Sequence, residues 1–483
     1  MKVEASDWFL IGPEVFLTGA GLLLLALATF FQKAKEEFLG YLAVLSVVIT
    51  AVILSVVAAA GPRERGPILA GMFILDNFAL FFKFLILIAI GLTVLASIKY
   101  VGTAPYPGGE YYALLLFTGV GMLFMVSGNN LISIYVALEL MALASYILAG
   151  YFKGETRSTE AALKYFVLGA FSSGILLYGL SLVYGISGRM GLTDLAQMAT
   201  SGDGRNLAVL GILMVLVGLL FKIAAVPFHV WTPDVYEGSP TPITAFFSVG
   251  PKVAAYAILA RIFYVGFPKF HADWGLVVAI VAAATLVWGN LAALLQTNVK
   301  RMLAYSSIAH AGYALLGVLG FQTPYGLWGV LVYLLAYTFM NFGAFALVIF
   351  LETKGYAAES VSDFNGLARR NMPAAVTMLL FLLSLAGIPP TAGFIGKYYL
   401  FTAAMKAGYA WLAVLAVLAS AVSLFYYFRI AAAMFFSEAA GARLQSSYAL
   451  TAAVVLCAAG TLVVGIAPEG VLAVLKNCIP GGY

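Results

Sequence analysis

The chain has 483 residues, of which 63% are hydrophobic and only 10% are charged. Soluble globular domains carry about 25% charged residues, so this composition excludes a soluble protein and predicts a polytopic helical membrane protein. The net charge of +5 is small and scattered, which argues against nucleic acid as a partner. Cys457 and Cys478 have no CxxC spacing and no histidine neighbours, so they indicate neither a disulfide framework nor a metal site.

Apolar segments long enough to cross a bilayer recur throughout the sequence. A span takes about 20 apolar residues, and the sequence predicts fourteen, near 13–31, 39–60, 73–99, 111–128, 130–151, 160–186, 206–231, 242–265, 275–297, 302–320, 327–351, 373–402, 409–436 and 448–468. Glu4, Asp7 and Glu14 replace a basic segment at the N-terminus, so no cleavable signal is expected. The fold class is therefore an all-α membrane domain over residues 1–483, surrounded by lipid.

Lysine and arginine residues indicate the orientation in the membrane. The loops after spans 1, 3, 5, 9, 11 and 13 contain Lys33, Lys35, Lys99, Lys153, Arg157, Lys300, Arg301, Lys354, Arg369, Arg370 and Arg443. The opposite loops and the termini contain Lys2, Arg63, Arg65, Arg189, Arg205, Lys269, Lys406 and Lys476. Basic loops stay on the cytoplasmic side, so we expect both termini on the outer side of a prokaryotic plasma (inner) membrane.

Two of the predicted spans are interrupted by proline and also carry a lysine. In span 7, Lys222 is followed by Pro227; in span 12, Pro389 and Pro390 precede Lys397. Proline removes a backbone donor and breaks the helix, and two such spans indicate inverted repeats. We expect five-helix repeats made of spans 4–8 and 9–13, each with the broken helix fourth. The predicted units are flanking helices 1–110, a first repeat 111–265, a second repeat 275–436 and a C-terminal helix 437–483.

Ionisable side chains at membrane depth are costly and mark candidate functional sites. Five of them form a row through both repeats: Glu139, Lys222, Lys252, His310 and Lys397. Glu139 is the expected counter-ion of Lys222, and Ser306 and Ser307 share a helix face with His310. Because a buried lysine can release its proton when its counter-ion moves, the row predicts a water-bridged proton path.

Further polar residues leave two interpretations open. Lys164, a few residues into span 6, can belong to the path or reach the membrane surface as a snorkelling charge. Lys300, beside Arg301 at a helix start, is interpreted first as a charge that sets topology. His229, Asp234 and Glu237 have no trusted metal spacing, and we expect them to link Lys222 to the cytoplasmic surface.

Three segments resemble signature blocks of a known family: FKIAAVPFHVWTPDVYEGSPTP, TNVKRMLAYSSIAHAGYALLG and GIPPTAGFIGKYYLF. They are similar to the antiporter-like membrane subunits of proton-pumping NADH-quinone oxidoreductase (respiratory complex I), and the resemblance covers essentially the whole chain. Subunits L and M and the cation/proton antiporters typically read PDAH followed by an APTP-like run. Here Val235-Tyr236-Glu237-Gly238 stands in that place, which favours the subunit N group.

The resemblance implies roles for the matching residues. Glu139 and Lys222 would form the buried pair of the first half-channel, Lys252 would be the central lysine and Lys397 the lysine of the second half. Lys164 would be the family's span 6 lysine, and His310 falls among its polar central-axis residues. NADH, flavin, iron–sulfur clusters and quinone would bind to other subunits and no cofactor to this chain. Its partners would be membrane and peripheral subunits, including further antiporter-like subunits.

Three alternatives stay open from the sequence. The chain could be a subunit of a multi-subunit Na⁺/H⁺ antiporter, although the Tyr-Glu-Gly run argues against it. It could be the related subunit of a photosynthetic NDH complex, which is similar in the same block. It could be a scaffold whose charges only specify helix packing, although five deep ionisable groups are expensive for that purpose. The enzymatic activity would in any case belong to the whole complex, since no catalytic constellation is present in the sequence.

Overall fold

The computed structural model describes residues 5–30, 36–60, 66–102, 108–199, 201–202, 204–320, 322–352, 359–438 and 447–478. All regular elements within these ranges are helical, and the α-helices are α1 Ala5–Leu10, α2 Gly12–Phe30, α3 Glu36–Ala60, α4 Asn77–Gly102, α5 Gly108–Val126, α6 Leu131–Ala149, α7 Thr156–Ser187, α8 Leu192–Leu195, α9 Arg205–Lys222, α10 Trp231–Gly238, α11 Thr241–Arg261, α12 His271–Leu294, α13 Val299–Leu319, α14 Pro324–Leu351, α15 Leu367–Arg370, α16 Met372–Ala386, α17 Ala392–Lys406, α18 Ala410–Phe436, α19 Tyr448–Ile466 and α20 Pro468–Lys476. Several residues used to predict orientation lie outside the described residues: Lys2, Lys33, Lys35, Arg63, Arg65, Lys354 and Arg443.

The predicted all-α membrane class is confirmed. In the described part of the chain, thirteen helical segments are long and apolar enough to cross a membrane. The remaining predicted span, 373–402, consists of α16 and α17, which have 15 residues each. Between α14 and α16, the described residues contain a 3-10 turn, Val361–Phe364, followed by α15.

Several span boundaries differ from the approximate predictions by a few residues or more, and two of the differences have a clear local cause. Span 3 was expected from residue 73, but α4 starts at Asn77 because Phe73 is held in bridges to Ile68 and Gly128. Span 7 was expected to continue to residue 231, but α9 ends at Lys222, five residues before Pro227. The helical hydrogen bonds stop early because Ala224 has a φ of +60° and cannot continue a right-handed helix.

The two broken helices place free backbone groups inside the protein. After α9, the N–H of Val226 donates to the hydroxyl of Thr285 on α12 at 3.0 Å. After α16, Gly387 has a φ of +84°, and Pro389 and Pro390 then prevent the helix from resuming before α17. Irregular backbone at membrane depth is tolerated only where it is buried in protein or borders water. The prediction that both proline-interrupted spans are broken is therefore confirmed.

Helices α11, α13 and α14 form the centre of the chain. Every residue of α11 is buried, and the three helices pack on one another. Peripheral helices instead expose large apolar side chains, such as Val52 on α3, Phe171 on α7 and Phe425 on α18. Helices with apolar outer faces suit a surface covered by lipid or by neighbouring membrane subunits.

Charged residues also connect the flanking helices α2 and α4 to each other and to α11. Asp76 accepts two hydrogen bonds from the guanidinium of Arg261, at 2.8 and 2.9 Å. Burial alone would raise the pKa of Asp76, but Arg261 holds it below its usual value. Lys83, two turns further along α4, forms a buried ion pair with Glu14 on α2 at 2.5 Å. These pairs fix α4 against α2 and α11.

Candidate functional site

Lys252 lies in the centre of the protein, on the buried helix α11. Its Nζ donates to the carbonyl oxygen of Ser307 at 2.8 Å and to the Ser307 hydroxyl at 2.5 Å. The same hydroxyl accepts a hydrogen bond from Tyr337 on α14 at 2.8 Å. A buried ammonium is tolerated only when hydrogen bonds replace its lost hydration. Lys252 is therefore held by α13 and, through Ser307, by α14.

His310 lies one helical turn after Ser307 and is enclosed by tyrosines. Its Nδ1 is 2.5 Å from the hydroxyl of Tyr333, and its Nε2 is 3.2 Å from the hydroxyl of Tyr427. The Tyr427 hydroxyl also lies 2.5 Å from that of Ser306. Both ring nitrogens thus have partners that can donate or accept, which is the arrangement needed to pass a proton through an imidazole.

Lys397 is held by the second broken helix. Its Nζ donates to the carbonyl oxygens of Leu385 and Ala386, at 2.9 and 3.0 Å, and to the hydroxyl of Ser420 at 2.8 Å. These carbonyls are free because α16 ends at Ala386. All three ammonium protons therefore have acceptors. The ammonium also lies 4.6 Å from the centre of the Tyr313 ring, which in turn lies 5.7 Å from the His310 ring, centre to centre.

Lys222 ends α9 and has far weaker contacts. Its Nζ is 3.5 Å from the hydroxyl of Tyr146 and 5.8 Å from the centre of that ring. Glu139, its expected counter-ion, lies two turns before Tyr146 on the same face of α6 and attracts Lys222 electrostatically. The two residues are not among the ion pairs within 4 Å in the described chain, and Oε1 of Glu139 is buried without a hydrogen-bond partner. Lys222 and its expected counter-ion Glu139 are therefore not in direct contact.

A cluster of ion pairs lies at one end of the helices, which we call the ionic side. Asp234 accepts hydrogen bonds from Lys164 at 2.6 Å and from Arg301 at 2.8 Å, and Arg301 also binds Glu237 at 2.7 Å. Burial favours neutral Asp234, but these hydrogen bonds hold its pKa below the usual value. The cluster joins α7 and α10 of the first half to α13 of the second.

Three further predicted residues lie near this cluster. Lys164 is 40% exposed and also pairs with Glu160 at 2.7 Å, so its side chain reaches the surface. Lys300 is buried and donates a hydrogen bond to the carbonyl oxygen of Ser239 at 3.0 Å. A lysine that only set the topology would not need this contact. His229 is half-buried beside Trp288, with ring centres 6.2 Å apart.

The predicted row is thus closely packed in one half and more open in the other. Lys252 binds Ser307, and His310 contacts Tyr427, which also contacts Ser306. Ring contacts connect these groups: the rings of His310 and Tyr337 are 5.2 Å apart, and Tyr313 lies beside both His310 and Lys397.

The surroundings of Lys222 are aromatic. Its contact Tyr146 packs on Tyr165, whose ring is stacked on Trp231 at 4.5 Å and meets Phe247 of α11. Within the described residues, no hydrogen bond links Lys222 directly to Lys252. Sequence reasoning missed the tyrosines, although the spacing of Tyr333 and Tyr337 on one face of α14 was a usable signal.

No group of three or more His, Cys, Asp or Glu side chains among the described residues is arranged to hold a metal ion. The polar groups of the network are amines, an imidazole, hydroxyls and carbonyl oxygens. The amines, the imidazole and the hydroxyls can exchange protons, and the carbonyl oxygens accept hydrogen bonds from them, so the chemistry that the arrangement supports is proton transfer.

Comparison with known proteins places the chain among membrane subunits of respiratory and antiporter complexes. The family described as NADH:quinone oxidoreductase/Mrp antiporter, TM, matches residues 128–423. A protein of Trichlorobacter lovleyi named NADH-quinone oxidoreductase subunit N is 44% identical over 475 residues, covering 97% of this chain and 96% of that protein. A protein of Moorella thermoacetica with the same name is 44% identical over 428 residues, covering 88% of each chain.

Solved structures agree with this placement. A chain of respiratory complex I from Thermus thermophilus has a TM-score of 0.82 and 33% identity, with 96% of this chain and 99% of that chain covered. A chain of the Mrp complex from Dietzia sp. has a TM-score of 0.81 at 24% identity, with 98% and 96% covered, which is a likeness of fold alone.

Proposed function

The chain belongs to the NADH:quinone oxidoreductase/Mrp antiporter membrane family, and within it to the proteins named NADH-quinone oxidoreductase subunit N, and on this premise we propose that it is the proton-translocating membrane subunit of an NADH-quinone oxidoreductase. The observation that carries the proposal is the buried row of Lys252, His310 and Lys397, whose hydrogen-bonded groups meet through the rings of Tyr337 and Tyr313. A scaffold would not need three ionisable groups in this position, since each costs about 3 kcal/mol or more at membrane depth.

In this proposal, protons move along the network by exchange between neighbouring groups. Lys252 and Lys397 release and bind protons, and His310 relays them between its two tyrosine partners. Glu139 and Lys222 respond to charge elsewhere in the complex, because their weak contacts leave the lysine free to change its protonation state. The proposed translocation residues are Glu139, Lys164, Lys222, Lys252, His310 and Lys397, with His229, Asp234, Glu237, Lys300, Ser306 and Ser307 as supporting groups.

The chain has no proposed redox role of its own. Electrons would pass from NADH to quinone through cofactors in other subunits, and the energy released would shift the charges that Glu139 and Lys222 sense. Membrane and peripheral subunits, further antiporter-like subunits and lipid are the proposed neighbours. The apolar outer faces of the peripheral helices support such surroundings.

We also propose that residues 111–265 and 275–436 are inverted repeats. The order of packing supports this: α5 packs on α6 and α7 on α9 in the first, as α12 packs on α13 and α14 on α17 in the second. Each half contains a broken helix in the same position in its order. Both termini are proposed to lie outside, which places the ionic side in the cytoplasm.

Proton uptake by reconstituted complex tests the function. The assembled complex carrying Lys252→Met would be placed in vesicles and supplied with NADH and quinone. We expect it to lose most proton uptake relative to Lys406→Met, which removes an exposed lysine at the end of α17. Uptake equal to that of the control would overturn the proposal. Uptake that requires Na⁺ would favour the antiporter alternative.

A further inference from the structure

Glu352 caps the end of α14 on the ionic side and is bound differently from its acidic neighbours. Asp234 and Glu237 are bound by the guanidinium of Arg301. Glu352 instead accepts a hydrogen bond at 2.6 Å from the hydroxyl of Thr241, the first residue of α11. A carboxylate held by a neutral hydroxyl is less committed to its charged form than one held by arginine.

The surroundings of Glu352 favour its protonated form. Burial raises the pKa of the Glu352 carboxyl and the charge of Glu359 raises it further, against the opposing effects of Lys300 and the Thr241 hydroxyl. Tyr100 on α4 also faces this site, and its hydroxyl accepts the N–H of Thr241 at 3.4 Å. Glu352 therefore presents a partly buried, protonatable carboxyl at the junction of α4, α11 and α14.

A line of polar side chains leads from Glu352 into the membrane. Thr241, Thr244, Ser248 and Lys252 are spaced by three, four and four residues, so they lie along one face of α11. The line rises about 16 Å along the helix axis. Because α11 is buried throughout, this face lies inside the protein and not against lipid.

Buried polar atoms without protein partners border the same line. They are the hydroxyl of Ser239 and the side-chain oxygen of Asn341. Asn341 donates to the Ser248 hydroxyl at 2.7 Å, and the carbonyls of Tyr236 and Ser239 accept from Thr244 at 2.8 and 3.4 Å. A buried polar group left unsatisfied costs about 1–3 kcal/mol, and water is the usual partner in such places. The line is therefore suited to hold a chain of water molecules.

We propose that Glu352 is the proton acceptor on the ionic side and that the polar face of α11 passes its protons to Lys252. This rests on the proposed function, and it describes a proton route to Lys252 that does not pass through Lys222. The proton bound by Glu352 moves through water and the hydroxyls of Thr244 and Ser248. Lys252 takes up this proton after it has released its own proton towards His310.

The test is proton uptake by the assembled complex in vesicles, normalised to the amount of complex. We expect Glu352→Gln to reduce uptake about tenfold or more, the scale of losing a positioned proton-transfer group. Glu110→Gln removes an exposed carboxylate at the start of α5, on the same side, and is expected to leave uptake unchanged. Glu352→Asp keeps a titratable carboxyl and should restore about half of the parental uptake, because proton exchange survives a shorter reach.

Each outcome decides the proposal. Glu352→Gln with uptake equal to Glu110→Gln overturns it, and so does an assembled Glu352→Asp variant no better than Glu352→Gln, since that indicates a purely structural role. Lys252→Met separates this inference from the proposed function. If Lys252→Met abolishes uptake while Glu352→Gln does not, only the role of Glu352 is wrong. If both variants pump normally, the proposed function is wrong as well.

Discussion

The Nζ of Lys397 lies 3.0 Å from the carbonyl oxygen of Ala386, the last residue of α16. The broken helix thus supplies the acceptor that its own lysine needs. Lys222 has no such support at the first broken helix, where Tyr146 at 3.5 Å is its hydrogen-bond partner. The charged form of Lys397 is therefore well solvated by protein, while that of Lys222 depends on more distant groups.

A methyl group at position 387 would disturb this arrangement. Gly387 has a φ of +84°, and an added Cβ would lie 2.8 Å from Cδ and 3.3 Å from Nζ of Lys397. We expect Gly387→Ala to displace the lysine from the two carbonyls and to reduce proton uptake several-fold. Uptake normalised to assembled complex is the measurement.

Gly188 offers the matched control for this substitution. It also has a left-handed backbone, with φ of +63°, but an added Cβ would meet nothing within 4 Å. Both alanine variants should lose about 1 kcal/mol of stability from the unfavourable φ. Only Gly387→Ala should lose pumping; an equal loss in both would indicate that backbone strain alone is responsible.

Tyr427 is expected to take part in proton transfer through its hydroxyl. That group lies between Nε2 of His310 and the Ser306 hydroxyl. We expect Tyr427→Phe to lower proton uptake clearly, because the ring remains and only the exchangeable proton is lost. Tyr264→Phe is the control, since its hydroxyl donates to the carbonyl oxygen of Gly317 at 2.9 Å, two turns beyond His310 on α13. Each variant leaves a buried partner unpaired and should lose about 1–3 kcal/mol of stability. Comparable uptake in the two would remove Tyr427 from the path.

The sequence predicted the spans and the broken helices well, because apolar length and proline positions are local properties. It also found Lys252, His310 and Lys397, since an ionisable residue within an apolar run is conspicuous. It did not reveal that Glu139 and Lys222 are separated, because that depends on how α6 and α9 are placed relative to each other. Glu352 was also missed: it stands at the end of a span, where a charge is ordinary, and only its contact with Thr241 sets it apart.

The orientation can be tested with a membrane-impermeant maleimide. In a background in which Cys457 and Cys478 are replaced, Thr156→Cys would report on the ionic side and Gln197→Cys on the opposite side, since both positions are exposed. We expect Gln197→Cys to react in intact cells and Thr156→Cys to react only after the membrane is opened, because basic loops stay in the cytoplasm. The reverse pattern would place both termini inside and contradict the proposed topology.

Lys222→Arg separates a fixed charge from a group that must change its charge. Arginine keeps the positive charge but stays protonated, with a pKa above about 12. If Lys222 only attracts Glu139, arginine should largely replace it; if Lys222 must become neutral during the cycle, arginine should fail. Lys222→Met, of similar length, controls for packing and lacks the charge. We expect both variants to assemble and lose most proton uptake, with arginine no better than methionine. If the arginine variant retained more than about half of the parental uptake, this would show that Lys222 acts as a fixed charge.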